Sequence, residues 1–263
     1  MTDAIASAGA YLRRDFQIAV SYKVPFLFDL VGALFVLFEF FFVAKLVPEG
    51  ATTGDYLRFV SIGLVVTTFL TSGASVIAGS VRQEQVQGTL EINLSMGLPP
   101  SVYALGIASY PLAAAVVRAS IYAAIAGALG TRLPEANWLL AALALMLGAV
   151  SFVSIGLMAV ALVLIFRQAA GAVGWLIGLT TLLAGVIFPI ELLPGWLRVL
   201  SGLSPATWAL QVTRDALQGA PWGNEWRALT VLALLGTASV AAAITALTLA
   251  LQRARATGVL SQY

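Results

Sequence analysis

The sequence predicts an all-α integral membrane protein with six transmembrane helices, folded as a single domain over residues 1–263. Three observations carry that expectation. Of the 263 residues, 60% are hydrophobic and only 10% charged. An ordinary soluble domain carries about 25% charged residues, so the polar surface is too small to cover a water-soluble particle. A mean hydropathy of +0.95 agrees. The apolar residues also gather in six runs, each near the ~20 residues a helix needs to cross hydrocarbon. Six crossings and their loops then consume the chain and leave no room for a separate catalytic domain.

Residues 2–23 come first. Ile5, Leu12, Phe16 and Ala19 recur at helical spacing, with Arg13, Arg14, Gln17 and Lys23 off that stripe. The pattern suits a helix lying in the membrane interface, basic side towards lipid headgroups, over residues 1–23. A loosely ordered leader is the alternative. A secretory signal is not expected, because a continuous apolar core and a cleavage site are both missing.

The six runs follow at Val24–Val47, Phe59–Ser80, Tyr103–Leu129, Trp138–Phe166, Ala172–Phe188 and Ala228–Leu251. Between the second and third lies a polar loop, residues 81–100, whose centre has helical character with Leu90 and Leu94 four apart. Such a loop is either a solvated connector or a docking helix that transmits force from a soluble partner. The fifth run is the shortest and leads into a half-polar stretch, residues 189–227. That stretch holds Pro189, Pro194, Pro205 and Pro221 with Trp196, Trp208, Trp222 and Trp226. Prolines break helices and tryptophans prefer the interface, so short helices dipping part-way into the bilayer are expected. Backbone at that depth must pack on protein.

Basic flanks set the orientation. With a cytoplasmic N-terminus that side holds Arg13, Arg14, Lys23, Arg82, Arg167, Arg253 and Arg255, against Lys45, Arg58, Arg132, Arg198, Arg214 and Arg227 opposite. Three of the latter lie in the long stretch 189–227, which the positive-inside rule weights little. The expectation is a multi-pass protein of the cytoplasmic membrane with both termini cytoplasmic.

Several chemistries are excluded. The chain has no cysteine and no histidine, so disulfides, thiolate nucleophiles, imidazole bases and thiolate- or histidine-held metals are all ruled out. The only lysines, Lys23 and Lys45, do not follow a G-x-x-x-x-G run, so there is no P-loop to hold nucleotide phosphates. A net charge of +2, with arginines scattered between apolar runs, does not suit nucleic-acid binding. No catalytic, cofactor or metal residue is expected in this chain.

Three charges fall inside the apolar runs: Asp29, Glu39 and Arg118. Asp29 lies close enough to the end of its run to reach the interface. Glu39 and Arg118 are deeper, where a charge costs roughly 2.5–3.5 kcal/mol on insertion scales and must face protein, water or a partner. Counted from Val24 and Tyr103 they lie at matching depth, so an ion pair is expected, within one subunit or across a dimer; a role in a transport pathway is the alternative. Phe35, Phe38, Phe40, Phe41 and Phe42 surround Glu39, facing lipid, neighbouring helices or a pathway. Gly174 and Gly178 form a G-x-x-x-G in the fifth run that allows close helix approach.

Two motifs in order resemble the type-two ABC exporter permeases. The first is Arg82-Gln-Glu84, then Gly88-Thr89-Leu90-Glu91, then Leu98-Pro-Pro-Ser101. The second is Phe188-Pro189-Ile-Glu-Leu-Leu-Pro194-Gly-Trp196-Leu-Arg198, then Leu203-Ser-Pro205 and Arg214-Asp-Ala-Leu-Gln-Gly219. With the interface helix and six-span plan, the resemblance covers nearly the whole chain. It implies the transmembrane subunit of an ATP-driven exporter, paired as a homodimer or heterodimer with a second permease chain. ATP and Mg would be bound by a separate nucleotide-binding ATPase. Residues 81–100 would hold the coupling helix, with Glu84, Gly88, Thr89, Leu90 and Glu91 against the ATPase. Pro189, Pro194, Trp196, Pro205 and Arg214 would belong to re-entrant helices capping the pathway. The loop is richer in glutamine and asparagine than relatives often are, which bears on partner choice. The implied cargo is an amphipathic or hydrophobic compound, such as a drug, antibiotic or lipid-like molecule. Polysaccharide or lipid-linked glycan export is the alternative within the family. A secondary transporter driven by an ion gradient and a membrane-embedded enzyme are the other classes, the latter disfavoured because no polar cluster resembles a reaction site.

Overall fold

The computed structural model describes residues 53–88, 100–128, 135–166 and 170–256, with residues 9, 13, 14, 16, 17, 31, 32, 35, 36, 38–43 and 45. Every regular element among them is helical. α1 (Thr53–Thr71) runs through a π-helical turn (Ser72–Val76) into α2 (Ile77–Val86). α3 (Pro100–Ala128) contains Pro111, and α4 (Trp138–Phe166) and α5 (Ala170–Ala184) follow. A 3-10 turn (Ile190–Leu192), α6 (Gly195–Leu203) and α7 (Pro205–Leu217) lead to α8 (Trp222–Ala256).

Among the described residues four helical stretches are long and apolar enough to cross a membrane: Tyr56–Glu84, Val102–Ala128, Trp138–Leu164 and Trp222–Arg253. They correspond to the second, third, fourth and sixth apolar runs. The fifth run becomes α5, whose 15 residues rise roughly 22 Å at ~1.5 Å each, short of the ~30 Å hydrocarbon core. It stops at Ala184 rather than continuing to Phe188, because Gly185 takes a left-handed φ of +69°, a conformation that ends helices and that glycine adopts without strain. The first run lies outside the described residues except for residues 31, 32, 35, 36 and 38–43, which are helical, and residue 45, which is in a turn. The interface segment 1–23 is likewise described only at residues 9, 13, 14, 16 and 17, all helical.

α4 is the mast of the bundle. In its most apolar window 61% of residues are buried in protein, against 17% for α3 and 22% for α8. It carries no charge, and α1 with its π turn, α2, α7 and α8 all pack on it. Hydrocarbon gives no hydrophobic drive for helices to associate, so contact must come from close backbone approach at small residues. α4 supplies them. A Cβ on Gly148 would stand 2.8 Å from the Ala209 Cβ of α7, and one on Gly236 of α8 would stand 2.9 Å from Ser151 Oγ. At the π turn a Cβ on Gly73 would lie 2.7 Å from the Phe152 carbonyl carbon, and one on Gly156 would be driven into the Gly73 carbonyl.

These contacts form a waist between two apolar cores. One gathers Val66, Leu70, Leu140, Phe152, Leu210 and Leu232; the other gathers Ile77, Val81, Ile107, Leu157, Val160 and Leu247. Ser72 Oγ of the π turn is buried without a hydrogen-bond partner among the described residues, whereas two α4 hydroxyls fold back onto their own helix: Ser151 donates to Leu147 O at 3.2 Å and Ser154 to Val150 O at 2.9 Å. That satisfies them where water is absent.

Gly156→Val is therefore expected to destabilise the bundle by at least ~1–3 kcal/mol through overpacking. Gly79→Ala, where a Cβ meets nothing within 4 Å, is expected to be neutral or to stabilise by up to ~1 kcal/mol. Thermal unfolding of the two variants in the same detergent measures the contrast.

Candidate functional site

The rod formed by α1, the π turn and α2 has a distinct polar cluster at each end. At the end of α2, Glu84 is buried to 7% exposure. Its Oε1 accepts from Arg14 Nη1 at 3.2 Å as an ion pair, and its Oε2 accepts from Tyr103 Oη at 3.0 Å. The carboxylate thereby joins residue 14 of the amino-terminal segment, α2 and α3. The helix ends two residues later. Gln87 N still donates to Gln83 O at 2.9 Å, and Gly88 then turns the chain with a left-handed φ of +71°. Gln83, Val86, Gln87 and Gly88 are exposed. Thr89, Leu90 and Glu91, named with Glu84 and Gly88 for coupling, lie outside the described residues, as does the helix expected around Leu90 and Leu94.

At the opposite end the proline- and tryptophan-rich stretch is a compact layer. Pro189 and Pro194 hold extended backbone before the 3-10 turn and α6, with ψ of 138° and 148°. Pro205 opens α7, where its missing N–H costs nothing. Trp196 is exposed on α6 with Val199 and Leu203, at the end where Trp138 and Trp222 are also exposed. Arg198 donates to the carbonyls of Glu191 and Leu193.

The layer closes the broken end of α5. Leu183 O accepts from Ser201 Oγ at 2.6 Å and from Thr207 Oγ1 at 3.2 Å, both hydroxyls buried. Arg214 Nη1 donates to Gly185 O and its Nη2 to Val186 O, each at 3.0 Å. Arg214 Nη2 also reaches Phe59 O of α1 at 3.3 Å, and the guanidinium lies 3.5 Å from the centroid of the Phe59 ring. As a guanidinium, Arg214 keeps its charge in this setting. One turn along α1, Gly63 leaves room for Val186 O, which would stand 2.6 Å from a Cβ there. Arg58 Nη2 donates to Leu217 O at 2.7 Å, and Asn137 N donates to Ala216 O at 2.8 Å. The end of α7 is thus held from α1 and from the start of α4.

The intramembrane charges fall elsewhere. Asp29 lies outside the described residues. Glu39 is exposed and Arg118 half-buried in α3, and among the described residues no ion pair joins the two. Phe35, Phe38 and Phe42 are exposed beside Glu39, and Lys45 Nζ stands 4.7 Å from the Phe41 ring centroid. Arg58, Phe59, Gly63, Gly185, Ser201 and Thr207 were not singled out from the sequence as site residues. A glycine closing a short apolar run ahead of a Pro/Trp segment was the available signal, since a glycine just past a helix marks its end.

The family profile described as ABC-2 type transporter matches residues 8–217. The chain belongs to this family. The ABC-2 match ends at the last residue of α7, so it takes in both polar clusters and leaves α8 outside. The chain is also similar to the probable multidrug ABC transporter permease YbhR of Escherichia coli strain K12, 29% identical over 194 residues that make up 71% of this chain and 52% of that protein. The YbhR of Escherichia coli O157:H7 gives the same values. This ABC-2 chain spans about half the length of the curated relatives it matches.

Two hydroxyls share the Leu183 carbonyl, so their losses are expected not to add. Ser201→Ala should cost under ~1 kcal/mol, because Thr207 still donates. Ser201→Ala with Thr207→Val leaves the carbonyl unpaired and should cost ~1–3 kcal/mol. A double-mutant cycle on thermal unfolding reads the coupling.

Proposed function

We propose that the chain is the transmembrane subunit of an ATP-driven exporter that moves an amphipathic or hydrophobic compound out across the cytoplasmic membrane. The observation that carries the reading is the ABC-2 match over 8–217. Similarity to YbhR, a probable multidrug ABC transporter permease, supports the cargo class. The sequence contains no P-loop lysine, so the energy source is a separate nucleotide-binding ATPase that binds ATP and Mg. A second permease chain completes the pathway.

In this reading the fold crosses the bilayer six times, with residues 24–47 as the first span and α5 as the fifth. α5 completes its crossing through the layer of α6 and α7. That layer is re-entrant on the outer side, with its tryptophans at the interface. The turn after α2 is the coupling loop, and its exposed Gln83, Val86, Gln87 and Gly88 lead into Thr89, Leu90 and Glu91 against the ATPase. Glu84 holds that loop to Arg14 and Tyr103 from within. Glu39 and the phenylalanines around it face the pathway between two copies.

Reconstitution with the cognate ATPase tests the reading. ATP-dependent transport of an amphipathic dye supports it; transport that follows an ion gradient without ATP removes it. Uptake of a lipid-linked glycan with no dye transport would move the cargo to the glycan branch. Topology is read separately in this cysteine-free chain: Gln87→Cys and Gln218→Cys should label from opposite sides.

The coupling turn yields a sharper expectation. A non-glycine residue pays roughly 1–2 kcal/mol in the left-handed region, and asparagine less. Gly88→Leu should lower substrate-stimulated ATP hydrolysis by roughly five- to thirtyfold, at ~1.4 kcal/mol per factor of ten, with membrane insertion unchanged. Gly88→Asn should restore most of it.

A further inference from the structure

α1 and α7 are tied to each other twice, in opposite senses. Arg58 of α1 donates to the Leu217 carbonyl that ends α7 at 2.7 Å, and Arg214 of α7 donates to the Phe59 carbonyl of α1 at 3.3 Å. The same Arg214 carries the Gly185 and Val186 carbonyls where α5 breaks. We propose that this reciprocal arginine clasp makes α1, α7 and the broken end of α5 one rigid body, with Arg214 as the positioning residue through which the α6–α7 layer follows the second span. The proposal rests on the reading of α2 as the coupling end given above.

The chemistry makes the clasp close to all-or-none. A charged donor forms hydrogen bonds roughly twice as strong as a neutral one, and a carbonyl at a helix break buried in the membrane has no water to turn to. The Nε atoms of Arg58 and Arg214 are both buried with no protein partner, so the two side chains already forgo one bond each. Partial opening would orphan carbonyls where α5 breaks and where α7 ends, and the junction moves intact. The planar fork is essential. One guanidinium spans three carbonyls while lying over the Phe59 ring, whereas the point charge of a lysine cannot hold that arrangement.

The path to the clasp is continuous. From the coupling turn at Gly88 the rod passes along α2 to the π turn, which meets α4 where Gly73 and Gly156 touch backbone to backbone, and α1 continues to Phe59. A π turn is a common site of functional departure from α-helix, and here it sits between the two apolar cores. A tilt of α2 about that point displaces the Phe59 end in the opposite sense. The clasp hands this displacement to α7 and the end of α5.

The test uses the full chain with its nucleotide-binding subunit in lipid nanodiscs, spin-labelled at exposed positions. The pair Gly79→Cys and Leu249→Cys reports α2 against α8; Val199→Cys and Leu234→Cys reports the α6–α7 layer against α8. On addition of ATP and Mg both distances are expected to shift in the otherwise unchanged protein. In Arg214→Gln the α2 shift should persist while the layer shift falls by at least half, and Arg214→Lys should be intermediate. Arg58→Gln, which leaves Arg214 in place, should reproduce part of the loss and serves where Arg214→Gln does not assemble. A full layer shift in Arg214→Gln, or in Arg58→Gln, overturns the clasp. If neither distance responds to nucleotide in the parent, it is the exporter reading that fails. The clasp is then judged on the permease alone: the resting layer distance distribution should widen about twofold in Arg214→Gln, and an unchanged width removes it.

Discussion

Hydrocarbon cannot hydrogen-bond, so each place where a helix stops short inside the bundle must be closed by protein donors. α5 stops at Ala184, and the carbonyls around that stop are Leu183, Gly185 and Val186. The α6–α7 layer exists in the form it does to meet them: Ser201 and Thr207 on the first, Arg214 on the other two. The end of α7 creates the same demand again, and Arg58 and Asn137 answer it from α1 and the start of α4. Each closure therefore pins one element to another. The arrangement of α1, α4, α5 and α7 at this end follows from that chain of obligations more than from apolar packing.

The remainder of the bundle depends on a different economy. Lipid is as apolar as leucine, so helices associate only where backbones can approach closely enough for dispersion contacts to add up. Gly73, Gly148, Gly156 and Gly236 provide those approaches around α4. They leave α3 and α8 largely exposed on their outer faces, as helices bathed in lipid should be. Tight approach at the waist and polar closure at one end confine rigidity to the rod of α1 and α2 and its neighbours.

Much of the architecture was legible in the sequence, and the reason is physical. A span announces itself by composition alone, and four apolar runs became α1 with α2, α3, α4 and α8. The stop of α5 was legible in part through Gly185. What could not be read were the partners of the arginines. Arg58 and Arg214 entered the sequence argument as topology charges and a motif residue, because charge reasoning looks for opposite charges. Backbone carbonyls carry no sequence mark, and those that Arg214 binds lie as far as 155 residues away. The depth count that matched Glu39 to Arg118 left open whether they pair within one chain or across two, and among the described residues of one chain no ion pair joins them. Equal depth fixes height in the membrane but not rotation about the helix axis or which neighbour packs beside it. Glu84 gives the converse lesson: a charge in a polar loop reads as solvent-facing, yet Tyr103 and Arg14 turn it inward.

The two ends of the rod are held by chemistries that respond differently to their surroundings. At the α2 end a carboxylate pairs with Arg14, whose side chain is 43% exposed, so salt and competing charges can weaken that tie. At the α1 end the bonds run from guanidinium to carbonyl, a neutral acceptor with no counter-ion to exchange, and the Nε atoms of both arginines are buried. At the α2 end the part-exposed partner is Arg14, while the Glu84–Tyr103 bond is buried. The asymmetry lies in the bonds themselves: Glu84 can trade Arg14 for another donor brought by a partner, while the Gly185, Val186 and Phe59 carbonyls have Arg214 as their shared side-chain donor.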